Sequence, residues 1–202
     1  LRFDQATRHF YGLPTYTERG TLTIVLTATD TSGATVSDTF MVTVQPVTDT
    51  NLMAGDDQTN RLRGNRQNDL LVGMGGDDSL QGGGGGDVLD GGTGNDTLKA
   101  GSGGDTLYGG EGNDLLIGAR GSDIYLFGYG DGQDIVQGAD NSDTILLLVN
   151  PQDVVFVHEG NNLVIRLRDT ADTLTLLNWY KGDRNRVAFI AVIDGQRLFP
   201  PD

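Results

Sequence analysis

The stretch Gly91–Lys99 reads GGTGNDTLK, and Gly109–Ile117 reads GGEGNDLLI. Both are the nonapeptide G-G-x-G-x-D-x-L-x, and the same unit can be followed outward in both directions. Aspartates recur every nine residues, at Asp69, Asp78, Asp87, Asp96, Asp105, Asp114 and Asp123. Two residues after each stands an apolar side chain: Leu71, Leu80, Leu89, Leu98, Leu107, Leu116 and Tyr125. Two residues before, six of the seven have glycine: Gly76, Gly85, Gly94, Gly103, Gly112 and Gly121. A fixed short period marks a repeat architecture, in which each unit buries its apolar side against its neighbours. A flexible glycine-rich linker would not hold aspartate and leucine in register through seven units.

Glycines at positions one, two and four of the unit permit backbone shapes closed to other residues. Position five (Asn68, Asp77, Gly86, Asn95, Gly104, Asn113, Ser122) is, serine apart, filled by types that tolerate positive φ. Six residues are therefore expected to turn and three to form a short strand, with the middle residue pointing inward. If one nonapeptide carries the chain half way round, residue i lies over residue i+18. Two inward ladders result: Leu71, Leu89, Leu107 and Tyr125, and opposite them Leu62, Leu80, Leu98 and Leu116. A coil spacing of about 4.8 Å also stacks the aspartates. Such carboxylates repel one another unless a cation lies between them. Short carboxylates and glycine-exposed carbonyls are the oxygen ligands a hard cation prefers.

The formal net charge is −14, and among the acidic residues only Glu18, Glu111 and Glu159 are glutamates. A generic acidic surface would mix the two acids. This charge, with no Lys/Arg cluster, argues against nucleic acid or an anionic membrane as partner. The chain has no cysteine, which excludes disulfides and thiolate metal sites. Bound metal can supply the missing staple. The longest apolar runs, Ile145–Val149 and Val187–Ile193, are too short to span a bilayer. No basic leader precedes an apolar stretch at Leu1, and the chain reads as a piece of a longer protein.

The flanks differ in texture. Thr21–Thr29 and Val36–Val44 alternate around a turn at Asp30–Gly33, the pattern of an antiparallel hairpin. Beyond Ile135, strands are expected at Asp153–Val157, Leu163–Leu167 and Thr173–Leu177. Val187–Ile193 and Arg197–Phe199 flank Asp194-Gly195, a favoured hairpin turn. No segment has helical periodicity. The expected fold class is all-β: a parallel β-roll capped by an antiparallel meander and preceded by part of a sandwich. The divisions are 1–51 for the sandwich fragment, 52–63 for a degenerate repeat, 64–134 for the roll and 135–202 for the cap.

The array resembles the repeats-in-toxin (RTX) nonapeptides, the calcium-binding parallel β-roll of type 1-secreted bacterial proteins. The resemblance implies calcium, at least four ions, bound by the position-six aspartates in pairs 18 residues apart: Asp69 with Asp87, Asp78 with Asp96, Asp87 with Asp105, Asp96 with Asp114, and Asp105 with Asp123. It implies further ligands among the turn carbonyls of Gly73, Gly75, Gly82, Gly84, Gly91, Thr93, Ala100, Ser102, Gly109 and Glu111. Departures lie at the start, where Gln58, Asn60 and Gln67 break the pattern, so that end is expected to be a weak-binding cap. Ala100 for a leading glycine is a mild change. The stretch GSDIYLFGYGDGQDI (Gly121–Ile135) resembles the segment that closes such rolls, which adds Asp131, Asp134 and Asp143 as candidate ligands. Leu163–Arg168 and Leu174–Trp179 resemble the haemolysin-type calcium-binding-related domain, whose expected role here is to shield the last strands. Trp179 is expected to pack in that cap rather than to form a sugar platform. GTLTIVLTATDTSGATVSDTFMVTV (Gly20–Val44) resembles the cadherin-like modules of large bacterial adhesins; Asp30 and Asp49 are read as turn and linker residues rather than ligands.

Catalysis finds no motif: His9 and His158 stand apart, and neither G-x-S-x-G nor H-E-x-x-H occurs. The combined expectation is a non-enzymatic, calcium-binding module of a secreted bacterial surface adhesin. Its expected partners are calcium, the type 1 secretion machinery and a cell-surface or matrix ligand of the parent protein. The competing expectation is the C-terminal folding and secretion module of a secreted protease, lipase or epimerase.

Overall fold

Period-two alternation near the start produces paired strands: β1 (Arg2–Asp4) with β2 (His9–Tyr11), and β3 (Gly20–Thr29) with β4 (Thr35–Val44), both antiparallel. The second pair sets Leu22 opposite Val42, Ile24 opposite Phe40 and Ala28 opposite Val36. The computed structural model describes residues 2–4, 9–11, 20–29, 35–44, 51–193 and 195–200, with side chains from residue 51 onward apart from Arg184. The turn at Asp30–Gly33 and residues Asp49 and Asp194 lie outside the described residues. The chain divides into two units, Leu1–Thr48 and Asp49–Asp202.

In the second unit each repeat supplies one strand. They are β5 (Asn51–Ala54), β6 (Arg61–Arg63), β7 (Asp69–Val72), β8 (Ser79–Gly84), β9 (Val88–Thr93), β10 (Thr97–Ser102), β11 (Thr106–Glu111), β12 (Leu115–Arg120) and β13 (Ile124–Phe127). Neighbours in sequence lie in opposite sheets, and each strand pairs in parallel with the next but one. Leu71 is in register with Leu89, Leu89 with Leu107, and Leu107 with Tyr125; opposite, Leu62, Leu80, Leu98 and Leu116 align. The offset is 18 residues in every case, as a half-turn per nonapeptide requires. Most strands are six residues long rather than three, because pairing continues into the turn: Gly101 is in register with both Gly83 and Ala119.

Parallel pairing continues past the last regular nonapeptide. β14 (Gln133–Val136) and β15 (Thr144–Leu147) add one coil, and the offset widens to 20 residues, with Val136 on Leu116 and Ile145 on Tyr125. Five strands follow: β16 (Val154–Glu159), β17 (Asn162–Leu167), β18 (Thr173–Leu176), β19 (Phe189–Val192) and β20 (Arg197–Leu198). β16, β17 and β18 form the expected antiparallel meander, but β18 and β19 each join a sheet of the roll in parallel, on β14 and β15. The cap therefore extends both sheets, each to eight strands.

The inward side chains form one continuous core. Leu71, Leu89, Leu98, Leu107, Leu116 and Tyr125 are fully buried, and Phe127, Ile145, Leu147, Leu163, Ile165 and Leu174 carry the same core into the cap. Trp179 packs within it, buried, as expected for a packing residue. Tyr125 ends a leucine ladder without stranding its hydroxyl, which accepts the Gly118 N–H at 3.0 Å. Because the ladders are one residue wide, a gap cannot be filled by lateral repacking. Leu98→Ala should lower stability by about 2–5 kcal/mol. Urea unfolding in saturating calcium checks this.

Position five corrects one expectation. None of its described residues has positive φ; that conformation occurs at positions two and four, including the non-glycines Met74 (φ 79°) and Ala119 (φ 83°) at position two. Position five holds amide and carboxylate side chains for another reason. Asp77 Oδ1 accepts the Asn95 N–H at 2.7 Å, Asn95 Oδ1 the Asn113 N–H at 3.1 Å, and Asn113 Oδ1 the Gln133 N–H at 3.1 Å. This ladder ties coil to coil without any cation.

Candidate metal centre

Each position-six aspartate follows a tight turn and precedes a strand, so its side chain lies between coils. One oxygen of each is used structurally. Asp87 Oδ1 accepts the Asp69 N–H at 2.9 Å, Asp96 that of Asp78 at 2.7 Å, Asp105 that of Asp87 at 2.8 Å, Asp114 that of Asp96 at 2.7 Å, and Asp123 that of Asp105 at 3.0 Å. The two members of each of these five pairs stand 18 residues apart. Two more follow at 20 residues, Asp134 on Asp114 at 3.0 Å and Asp143 on Asp123 at 2.9 Å.

The second oxygen is different. Oδ2 of Asp78, Asp87, Asp96, Asp105, Asp114, Asp123 and Asp134 is buried with no protein donor. A buried charged group left unpaired costs upward of about 1–3 kcal/mol, and here the cost is repeated seven times along one molecule. Position-one glycine makes the space these oxygens face. A Cβ on Gly73 would lie 2.2 Å from Asp78 Oδ2 and 2.3 Å from the Gly91 carbonyl oxygen; on Gly91 it would lie 2.3 Å from Asp96 Oδ2 and 2.5 Å from the Gly109 oxygen. On Gly82 the values are 2.3 Å to Asp87 Oδ2 and 2.8 Å to the Ala100 oxygen. Carboxylate and carbonyl oxygens from successive coils thus converge beside position one, which is glycine ahead of Asp78, Asp87, Asp96, Asp114 and Asp123 and alanine (Ala100) ahead of Asp105. Among the described residues no three acidic or histidine side chains form a ready cluster, so backbone oxygens must complete any coordination sphere. Carbonyls of Ser102 and Glu111 at position three accept the N–H groups of Gly85 and Gly94 at 2.9 and 2.8 Å, which leaves a lone pair on each. This donor set fits a calcium ion.

The ends of the array are closed by protein donors. Asp69 Oδ2 accepts the Asn65 N–H at 2.7 Å. Asn60, standing where an aspartate would be, accepts the Asp56 N–H at 2.6 Å and donates to Asp56. At the other end Asp143 Oδ2 accepts the Asp140 N–H at 2.8 Å. Asp131 occupies position three rather than six of its turn; it accepts the Tyr108 hydroxyl at 3.0 Å and the Gly128 N–H at 2.6 Å. His158 is exposed, stacked on Tyr180, with Nε2 2.9 Å from the Gly160 oxygen.

Burial, and then neighbouring carboxylates, raises the acids. Asp96 is pushed up to about 6 by burial and by Asp78, and Asp131 to about 7 by burial and Asp172. Asp143 rises to about 6 through burial and Asp123. Asp114 and Asp134 are both raised, chiefly by burial. Asp90 stands at position nine. It is half-buried in register with Val72 and Tyr108, and its carboxyl rises to about 6 through burial and the charge of Asp96. Asp90 stands outside the position-six row. Asp96→Asn should therefore reduce the calcium bound at saturation, whereas Asp90→Asn should leave the number of ions unchanged. Equilibrium dialysis of both variants makes the comparison; equal losses would show the repeat frame to be shifted.

The model of the RTX calcium-binding nonapeptide repeat matches residues 54–89 and again 90–125. Residues 54–125 are RTX calcium-binding repeats. Each match spans four nonapeptide copies, in keeping with the period read from the aspartates. The haemolysin-type calcium binding protein related domain matches residues 162–196, and a putative Ig domain matches residues 1–45. The latter is immunoglobulin-like in description, coarser than the cadherin-like resemblance. A solved structure similar to this chain is the extracellular lipase LipA from Serratia marcescens, with 16% identity and a TM-score of 0.31 over 66% of this chain. The chain spans 38% of the length of that lipase. No curated protein matches. No helix among the described residues is long and apolar enough to cross a membrane.

Proposed function

We propose that this calcium-binding β-roll is a calcium-folded module of a type 1-secreted bacterial surface adhesin. The observation that carries the reading is the row of seven buried Oδ2 atoms without donors. Without calcium, seven unpaired buried carboxylates oppose the coil stack, and a chain of net charge −14 repels itself. Calcium supplies the missing positive charge between coils, and its binding energy becomes folding energy. The ligands in this reading are Oδ2 of Asp78, Asp87, Asp96, Asp105, Asp114, Asp123 and Asp134, with carbonyls of position one (Gly73, Gly82, Gly91, Ala100, Gly109) and position three.

Extracellular sites of this chemistry have dissociation constants of about 10⁻⁴–10⁻³ M. Such sites stay empty at cytosolic calcium and fill outside the cell, which keeps the chain unfolded during export and folds it afterwards. An immunoglobulin-like match ahead of the roll supports an adhesin parent, in which such modules are strung together. In this reading 64–134 responds to calcium and 135–202 caps it.

Circular dichroism in chelator and then in millimolar calcium tests the folding claim. The expected result is a coil-like spectrum converting to β signal on addition of calcium. Equal β signal in both conditions would overturn it.

A further inference from the structure

We infer that Asp172, outside the nonapeptide array, terminates the stack of glycine turns by standing in for the backbone of a missing next coil. Within the array four position-four glycines donate their N–H to the position-three carbonyl one coil on: Gly85 to Ser102 at 2.9 Å, Gly94 to Glu111 at 2.8 Å, Gly103 to Arg120 at 2.9 Å, and Gly112 to Asp131 at 3.0 Å. Gly132 is the next member of this column. It bridges to Gly112 in parallel and shares the positive φ of the column, at 90°. No further glycine turn follows it, so its N–H would face outward with no carbonyl to receive it.

Asp172 fills that place. It immediately precedes β18, which pairs with β14 so that Thr173 is in register with Gln133, one residue beyond Gly132. The Thr173 N–H donates to the Gly132 oxygen at 2.8 Å. The Asp172 carboxylate then accepts two N–H groups of the same turn, Gly132 on Oδ1 at 3.1 Å and Gly130 on Oδ2 at 2.9 Å. The side chain is only 8% exposed, and its own N–H is held by the Thr170 hydroxyl at 3.1 Å. Both carboxylate oxygens are spent on backbone donors. Both oxygens of Asp131 in the same turn are also spent on protein donors, the Tyr108 hydroxyl and the Gly128 N–H. Asp131 and Asp172 therefore hold this turn without a cation, while Asp134, with Oδ2 unpartnered, stays in the ligand row. The link runs from residue 172 to residue 130, so closing the last turn requires the cap to be in place.

The inference rests on calcium folding the module, and its test separates the two. In the full chain, Asp172→Asn and Asp172→Ala are compared with wild type and with Asp169→Asn, an exposed change in the same loop. At a fixed subsaturating calcium concentration, the alanine variant should lower the folding constant about tenfold or more, from the loss of two charge-assisted hydrogen bonds. Asn, which keeps one acceptor oxygen, should fall between, and Asp169→Asn should match wild type. Calcium bound at saturation should be unchanged in all of them and in Asp131→Asn. Amide exchange should quicken at Gly130 and Gly132 but not at Gly94. Loss of a bound ion in the Asp172 variants would make the residue a ligand and overturn the inference. An unchanged folding constant with unchanged exchange at Gly130 and Gly132 would overturn it as well. A wild-type chain that does not fold with calcium would instead refute the functional reading.

Discussion

A chain ending at Leu126 should remain largely disordered in millimolar calcium, whereas a chain starting at Gly64 should fold. The first truncation removes β14 and β15, which carry the last parallel coil, and β18 and β19, which seal the two sheets. It bares Leu116 and Tyr125, which are fully buried against Val136 and Ile145 in the whole chain. It also removes Asp134 and Asp143, whose Oδ1 atoms accept the N–H groups of Asp114 and Asp123. In a solenoid each unit is stabilised only by its neighbours, so an open end frays and the fraying propagates. Two exposed strand edges add a template for aggregation. The second truncation removes the separate unit Leu1–Thr48 and the degenerate coil, in which Asn60 and Asp56 satisfy each other locally. Circular dichroism of the two chains at the same calcium concentration decides the matter. Normal folding of the chain ending at Leu126, or failure of the one starting at Gly64, would remove the cap from the folding scheme.

Much of this architecture was legible because a period of nine leaves few geometries open. Leucine at position eight and aspartate at position six fixed which residues stack and at what offset, and the register of Leu98 on Leu80 follows from that spacing alone. The irregular end was harder. Between Asp123 and Asp143 the spacing changes, so the coils of β14 and β15 could not be extrapolated, although their aspartates keep the same hydrogen bond. Asp131 is a candidate ligand only through the resemblance of Gly121–Ile135 to a roll-closing segment. Its side chain points back onto Gly128 and meets Tyr108, a partner 23 residues away that no local pattern announces. Asp172 carried no signal at all, since its role depends on β18 returning to pair with β14 across some forty residues. Position five was misread because asparagine and glycine share tolerance of positive φ; the hydrogen-bond ladder from Asp77 to Gln133 shows that asparagine is there for its side-chain oxygen.

Acid should do part of the work of calcium. Burial, then neighbouring carboxylates, raises Asp96 and Asp143 to about 6 and Asp131 to about 7 in the folded, metal-free chain, and raises Asp114 and Asp134 as well. The ordinary value is 3.8. A folded-state value above the unfolded one means that the folded chain binds more protons between the two. Stability without metal is therefore greatest below about pH 4 and is lost as pH rises through about 6 to 7 and beyond. In chelator, lowering the pH from about 8 to about 4 should raise β signal, with the change centred near or above 6. With calcium present the sign reverses, because protons compete for the carboxylates and the calcium midpoint must rise on acidification. General relief of the −14 net charge would also favour compaction in acid. That effect follows the exposed carboxylates, whose ordinary values are about 4. A metal-free transition centred near pH 4 would thus trace the folding to overall charge, and a flat profile would show that the unpaired Oδ2 row does not set the stability of the roll. A transition near 6 or above would place the cost in the buried carboxylates themselves, among them Asp96, Asp114 and Asp134 of the row that calcium relieves.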